Sequence, residues 1–261
     1  MHPFPAPGMI LVFPEGAWRE ILPLETMKCE EEHAREIEWE LRSRIYQHIN
    51  INDDFPIEKV WKVYKTICGM ARKGSLSVKS WGLESKHNYS SAVNGAFGFN
   101  PVINEASDLG KLKIPQIIYD EKSTIADFEE ANDLFGDILD VRLNGINYIS
   151  FHFMSSYCHL RGLEQMMYDL YDNPDMVHNA MRFFKVGYDS LIDQCLAQNL
   201  FSYNNDDTYH SSGGIGYSYE LAHKDFIAGK PRTCDLWASA ESQEMVQVST
   251  DMHEEFVMQY E

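Results

Sequence analysis

The sequence is poor in positive charge: 22 Lys and Arg stand against 40 Asp and Glu, for a formal net charge of −18. A surface that acidic repels phosphate backbones and anionic lipid, which argues against nucleic acid and membrane surfaces as partners. Long apolar runs are missing too. No stretch reaches the roughly 18 residues that a bilayer span requires. The opening MHPFPAPGMILVFPEG lacks the basic n-region and small-residue cleavage site of a secretory leader. Cysteine is sparse and scattered, with Cys29, Cys68, Cys158, Cys195 and Cys234 forming no CxxC pair. Such a set fits free thiols in a reducing cytoplasm, the expected location, better than a disulfide framework. Repeats, low-complexity tracts and long Pro/Gly/Ser linkers are also absent, so 1–261 reads as a single domain.

What is present is a globular balance of 44% apolar and 24% charged residues. Helical spacing runs from about Glu30 to Ile49, through Ala34, Ile37, Leu41, Ile45 and Ile49. The Glu30-Glu31-Glu32 run suits the positive end of that helix dipole. Thr124 is expected to cap a second helix, with Asp127 as its capping-box partner. A helix over Leu160–Tyr171 follows, with Met166 and Met167 as core residues. Pro174 then opens a helix whose inner stripe is Val177, Met181, Phe184, Tyr188, Leu191 and Cys195. Ser249 opens the last. Between the helices, Met9–Phe13, Ile146–Phe153, Leu200–Asn204 and Thr233–Ala238 read as buried strands. Strands alternating with helices imply parallel βα units, in which the loops after the strands build the site.

Polar clusters fall at those strand ends. Asn204-Asn205-Asp206-Asp207-Thr208-Tyr209-His210 is the densest. A carboxylate beside an imidazole can do acid–base work or hold a cation. The plainer reading makes Asp206 or Asp207 a turn cap. Ser211–Gly216 is glycine-rich but lacks the Lys-Ser/Thr ending of a P-loop, which favours a flexible loop. His152, Tyr157 and Arg161 could orient a polar substrate, and the Cys158–His159 pair lacks zinc-finger spacing. Trp237 could line the pocket and Glu241 serve as a base, ligand or cap.

Three segments resemble one family. The stretch Gly162–Met181 (GLEQMMYDLYDNPDMVHNAM), the strand end NNDDTYH and Val248–Glu261 (VSTDMHEEFVMQYE) are similar to the uroporphyrinogen-decarboxylase-like superfamily. The opening LVFPEGAWREILP and CEEEHAREIEWELRSRIYQHI resemble a clade of it common in anaerobic bacteria. The resemblance implies an α/β fold of TIM type, a (β/α)8 barrel. About five or six of its eight βα units can be counted, which implies truncation at the C-terminus and self-association through uncovered surface. It also implies Asp207, or its neighbour Asp206, as the strand-end polar group and Tyr157 as a pocket tyrosine. Two reactions on a small-molecule substrate follow from it. One is methyl transfer linked to a corrinoid protein or a thiol acceptor, with zinc ligands in a region beyond Glu261 and no cofactor held within this chain. The other is decarboxylation of a tetrapyrrole, whose arginine-rich N-terminal motif is not found here. A non-catalytic barrel or inactive fragment is the third reading. The expected catalytic set is Asp207, Asp206, His210 and Tyr157. His152, Tyr209, Arg161, Asn205, Trp237 and Glu241 are the expected substrate contacts, and no metal ligand is assigned.

Overall fold

A computed structural model describes residues 10–78, 80–85, 87–89, 97–210 and 217–261. The Ser211–Gly216 loop lies outside them, as does Met9. The chain divides into two compact units, Met1–Val60 and Trp61–Glu261.

In the first unit a short helix, α1 (Trp18–Ile21), precedes the long α2 (Glu32–Asn50). The expected strand at Met9–Phe13 does not form; Ile10–Pro14 is irregular. Trp18 packs edge-on to Trp39 and Tyr46, with ring centroids 5.8 and 5.9 Å away. The Gln47 amide donates to Val12 O and to the Asp53 carboxylate, tying the incoming chain to α2.

The second unit runs, in order, through β1 (Val60–Tyr64, its first residue closing the first unit), β2 (Ile67–Cys68), β3 (Ser75–Leu76), β4 (His87–Tyr89), β5 (Phe97–Phe99) and β6 (Ile118–Tyr119). Then come α3 (Glu121–Phe135), β7 (Asp140–Asn144), β8 (Tyr148–Phe151), α4 (Phe153–Arg161), α5 (Leu163–Asp172) and α6 (Pro174–Ala197). The two-residue β9 (Ser239–Ala240) and α7 (Thr250–His253), which runs on as a π-helical turn over Glu254–Met258, complete it.

The expected barrel is overturned. The described strands form small separate sheets, β1-β7, β2-β6, β3-β8-β9 and β4-β5, none closed into a barrel. A TIM-type barrel needs eight consecutive parallel neighbours. Here the β2-β6 and β4-β5 pairs are antiparallel, so much of the region from Ile67 to Tyr119 is not laid down as βα units. The strands are also shorter than their apolar runs suggest. Of Ile146–Phe153, the first two residues lie outside β8 and the last opens α4. Leu200–Asn204 contributes a single parallel bridge, Phe201 to Ile146. Within Thr233–Ala238, Asp235 accepts from the Arg232 and His223 amides, which winds Thr233–Asp235 into a 3-10 turn and delays the strand to β9.

Helix periodicity was the more reliable guide. The whole α6 stripe named above is buried, from Val177 to Cys195. Ser249 caps α7 by accepting from Met252 N at 3.2 Å. Two boundaries differ. Asp120, not Thr124, caps α3: its carboxylate accepts from Ser123 N, while the Thr124 hydroxyl donates to Asp120 O inside the helix. Gly162, at φ 84°, breaks the expected Leu160–Tyr171 helix into α4 and α5, a backbone angle that favours glycine.

The core of the second unit lies between α4, α5, α6 and one face of the β3-β8-β9 sheet. Strand alternation sends Ile149 and Phe151 to it, with Leu76 from β3. Trp81 packs against Phe183, Phe184 and Tyr188 with centroids 5.4 to 5.6 Å apart. No helix among the described residues is long and apolar enough to cross a membrane.

Gly145 sets the approach of two chain segments. A Cβ there would overlap the Leu200 carbonyl, which accepts from Ile146 N at 2.7 Å. Gly145→Ala should therefore cost about 1–3 kcal/mol of unfolding free energy by overpacking. Urea denaturation of wild type and variant measures this; equal midpoints would show that the segments part freely.

Candidate functional site

The face of the β3-β8-β9 sheet opposite the core is polar. Tyr148, Ser150 and His152 follow the alternate positions of β8 and its end. Ser75 pairs with Tyr148 in register, and Ser239 with Ser150.

The Asp206–His210 segment packs near this face. Lys62, on β1, donates to Asp206 at 2.9 Å and to Asp207. Burial alone would lower the Lys62 pKa, but the two carboxylates overcome it and hold the ammonium charged above its ordinary range. Asp206 also accepts from Thr208 N at 2.9 Å and from the Thr208 hydroxyl at 2.5 Å. It is thus a turn-former as well as an ion-pair partner. Asn147 donates to the Thr208 hydroxyl at 2.8 Å. Burial raises the phenol pKa of Tyr64, on the same strand as Lys62.

His210 is 7% exposed and stacks on Tyr148 at 5.3 Å between centroids and 15° between planes. Among the described residues neither of its ring nitrogens has a hydrogen-bond partner. Desolvation lowers its pKa, and the Asp206 charge offsets this only in part. The ring is neutral at pH 7, with one N–H donor and one lone pair. Arg72 lies over the same Tyr148 ring, 5.6 Å from its centroid.

Asn204, fully buried, holds the segment in place. Its amide donates to Asn147 O at 2.7 Å and Trp237 O at 2.9 Å, and accepts from Trp237 N at 2.8 Å. Asn205 exchanges hydrogen bonds with Ser218 and reaches Leu221 O, so it anchors the 217–221 loop. The Trp237 indole approaches Asn205 Oδ1 at 3.5 Å. Tyr209, half-buried, sits between Thr208 and His210.

At the carboxyl end of the sheet, Ser150 Oγ lies 2.6 Å from His152 Nε2, and Glu241 Oε2 lies 3.7 Å from that same nitrogen. A Ser-His-acid triad needs the acid on the other ring nitrogen. This trio therefore does not have the charge order of a nucleophilic serine.

The remaining expected site residues belong elsewhere. Arg161 and Asp169 form a buried ion pair at 2.6 Å, joined by the Tyr157 hydroxyl at 3.0 Å. Arg161 also caps the carbonyls of Ile103 and Asn104. Burial would raise the Asp169 pKa, but donors from Arg161, Gln165 and Tyr157 pull it below the usual carboxylate value. This cluster ties α4 to α5, and the structure groups Tyr157 and Arg161 with it rather than with Asp207. Burial pushes the Cys158 thiol up to about 11, so it is no thiolate at neutral pH. Among the described residues, no group of three His, Cys, Asp or Glu side chains is placed to hold a metal ion.

Lys62, Tyr64, Arg72, Asn147, Tyr148 and Ser150 were missed by sequence reasoning. Lys62 carried a readable signal: a lysine inside VWKVY, a strand otherwise buried or half-buried, calls for a buried counter-charge.

No protein-family model, no curated protein and no solved structure matches the chain.

The two carboxylates should respond differently to substitution. Asp206→Ala leaves the Thr208 amide and hydroxyl and part of Lys62 unpaired, and should cost about 1–3 kcal/mol. Asp207→Asn keeps an acceptor for Lys62 and should cost less than about 1 kcal/mol. Chemical denaturation of both variants tests the order; a larger loss for Asp207→Asn would reverse the assignment.

Proposed function

We propose that the Trp61–Glu261 unit is an enzyme that binds a small polar molecule on the Tyr148 face of the sheet and moves a proton through His210. One observation carries this reading: His210 is buried with both ring nitrogens unmatched among the described residues. Each unmatched buried polar group costs about 1–3 kcal/mol. An apolar ring at this position would stack on Tyr148 without that cost, so the imidazole is explained by what it binds. A ligand that offers one acceptor and one donor satisfies it. A proton taken from that ligand makes an imidazolium, which the nearby Asp206 charge favours. Lys62 and Asp207 act as positioning residues, fixing Asp206 through the shared ammonium.

The resemblance to the uroporphyrinogen-decarboxylase-like superfamily adds methyl transfer and decarboxylation as reaction classes. A tetrapyrrole's carboxylates demand clustered arginines. Lys62, the cation nearest Asp206 and Asp207, is already taken by them, which disfavours the decarboxylase reading. Methyl transfer linked to a corrinoid or a thiol acceptor is compatible with an acid–base histidine and rests on the resemblance alone.

His210→Phe separates function from folding. Its melting temperature should equal or exceed that of wild type, because an unmatched polar ring is removed. In a thermal-shift screen of small polar metabolites, compounds that stabilise wild type should fail to stabilise the variant. Turnover of any that prove to be substrates should fall roughly hundred- to ten-thousand-fold. A less stable variant with its ligand response intact would sink the proposal. The pH dependence has a definite sign as well. The folded pKa of His210 lies below the unfolded value of about 6.5. Between those two values the unfolded chain binds more protons, so stability falls as pH drops through that window. The stability difference between wild type and His210→Phe should grow in the variant's favour on acidification below about pH 6.5, measured by denaturation at matched ionic strength.

A further inference from the structure

We infer that the cavity at the amino-terminal edge of the β3-β8 pair is a phosphate subsite, which holds the phosphate group of a small phosphorylated molecule. The cavity measures about 190 Å³, and its wall includes Lys65, Thr66, Arg72, Lys73, Gly74 and Ser75. At roughly 30 Å³ per liquid water, that is room for a phosphate group and residual waters.

The cavity's lining runs against the chain's net charge. The chain carries 18 more acidic than basic residues, yet among the described residues three cations and no acidic side chain line this space. Their partners are incomplete. Lys65 donates to the Asn199 carbonyl at 2.7 Å and lies over the Tyr119 ring at 5.7 Å, with no carboxylate partner among the described residues. Burial accordingly lowers its pKa with nothing to offset it. Arg72 rests on the Tyr148 ring and, among the described residues, has no acidic partner. Lys73 alone is paired, with Asp127 at 3.1 Å on the surface. Desolvating an ammonium without a counter-charge is costly, and an anion removes that cost. A tetrahedral phosphate offers oxygens in enough directions for several converging donors, whereas a planar carboxylate offers two.

Tyr148 links this cavity to His210, since Arg72 and His210 both pack on its ring. The phosphate would therefore anchor a molecule whose reacting end lies at His210. That last placement rests on the function proposed above; the cavity's ligand does not.

Isothermal titration of the full chain with inorganic phosphate, alongside acetate at equal ionic strength, tests the inference. Wild type should bind phosphate, more weakly as salt rises, and should bind acetate at least roughly tenfold less tightly. Lys65→Gln and Arg72→Gln should each weaken phosphate binding roughly tenfold or more, with melting curves close to wild type; Arg72 is exposed and its variant keeps the test valid should Lys65→Gln misfold. His210→Phe should leave phosphate binding intact, so failure of the proton-transfer reading is scored separately. No binding by wild type, equal binding of acetate, or unchanged affinity when Arg72 is replaced would each overturn the inference.

Discussion

The amide of Asn204 is the constraint on which the polar face depends. Regular pairing between Ile146–Phe151, the Leu200–Asn204 segment and the chain before β9 is scant: one bridge on one side and two residue pairs on the other. Asn204 supplies with its side chain what a longer ladder would supply with backbone, binding Asn147 O, Trp237 O and Trp237 N at once. Because that amide is fully buried, each of these bonds forms in a medium where its loss is expensive. The geometry downstream follows: Asp206 turns back to Thr208, Thr208 meets Asn147, and His210 is delivered onto Tyr148.

Electrostatics then divides this face into zones. Lys62 with Asp206 and Asp207 makes a cluster of net negative charge, whose ammonium stays protonated because two carboxylates outweigh desolvation. His210, close enough to feel Asp206, remains neutral because burial outweighs that one carboxylate. Beyond Tyr148 the sign reverses, with Lys65 and Arg72 lacking a carboxylate partner among the described residues. A neutral, titratable ring standing between a negative cluster and a positive cavity is an arrangement suited to an anionic ligand with a proton to give up.

How much of this was legible in the sequence depended on how far apart the cooperating residues lie. The α6 stripe repeats at helical spacing within one continuous segment, so its burial could be read directly. The cluster Asp206–His210 was visible for the same reason: its polar residues are neighbours in the chain. Its partners were not, since Lys62 and Tyr64 precede it by more than a hundred residues and reach it only through tertiary packing. Apolar runs misled where side chains redirected the backbone. Asp235 bends its run into a turn, and β8 gives way to α4 at Phe153. The barrel expectation failed on the same ground, because hydrophobic runs do not report strand direction, and β2, β4, β5 and β6 pair antiparallel.

Tyr157 and Arg161 illustrate why residue type alone misassigns a site. Tyr, His and Arg close together after a strand read as substrate-orienting groups. Yet α4 begins at once after that strand, and its buried side carries Tyr157 and Arg161 into the layer shared with α5. There Asp169 accepts from both, and both donors are themselves buried. A polar network with every member satisfied has nothing left to offer a ligand, and its value lies in fixing how the two helices meet. His210 shows the opposite condition: a buried ring whose packing is complete and whose hydrogen bonding, among the described residues, is not. Among the described residues, it is unmet capacity of that kind in a titratable ring, more than polarity or position at a strand end, on which the proposed proton transfer rests.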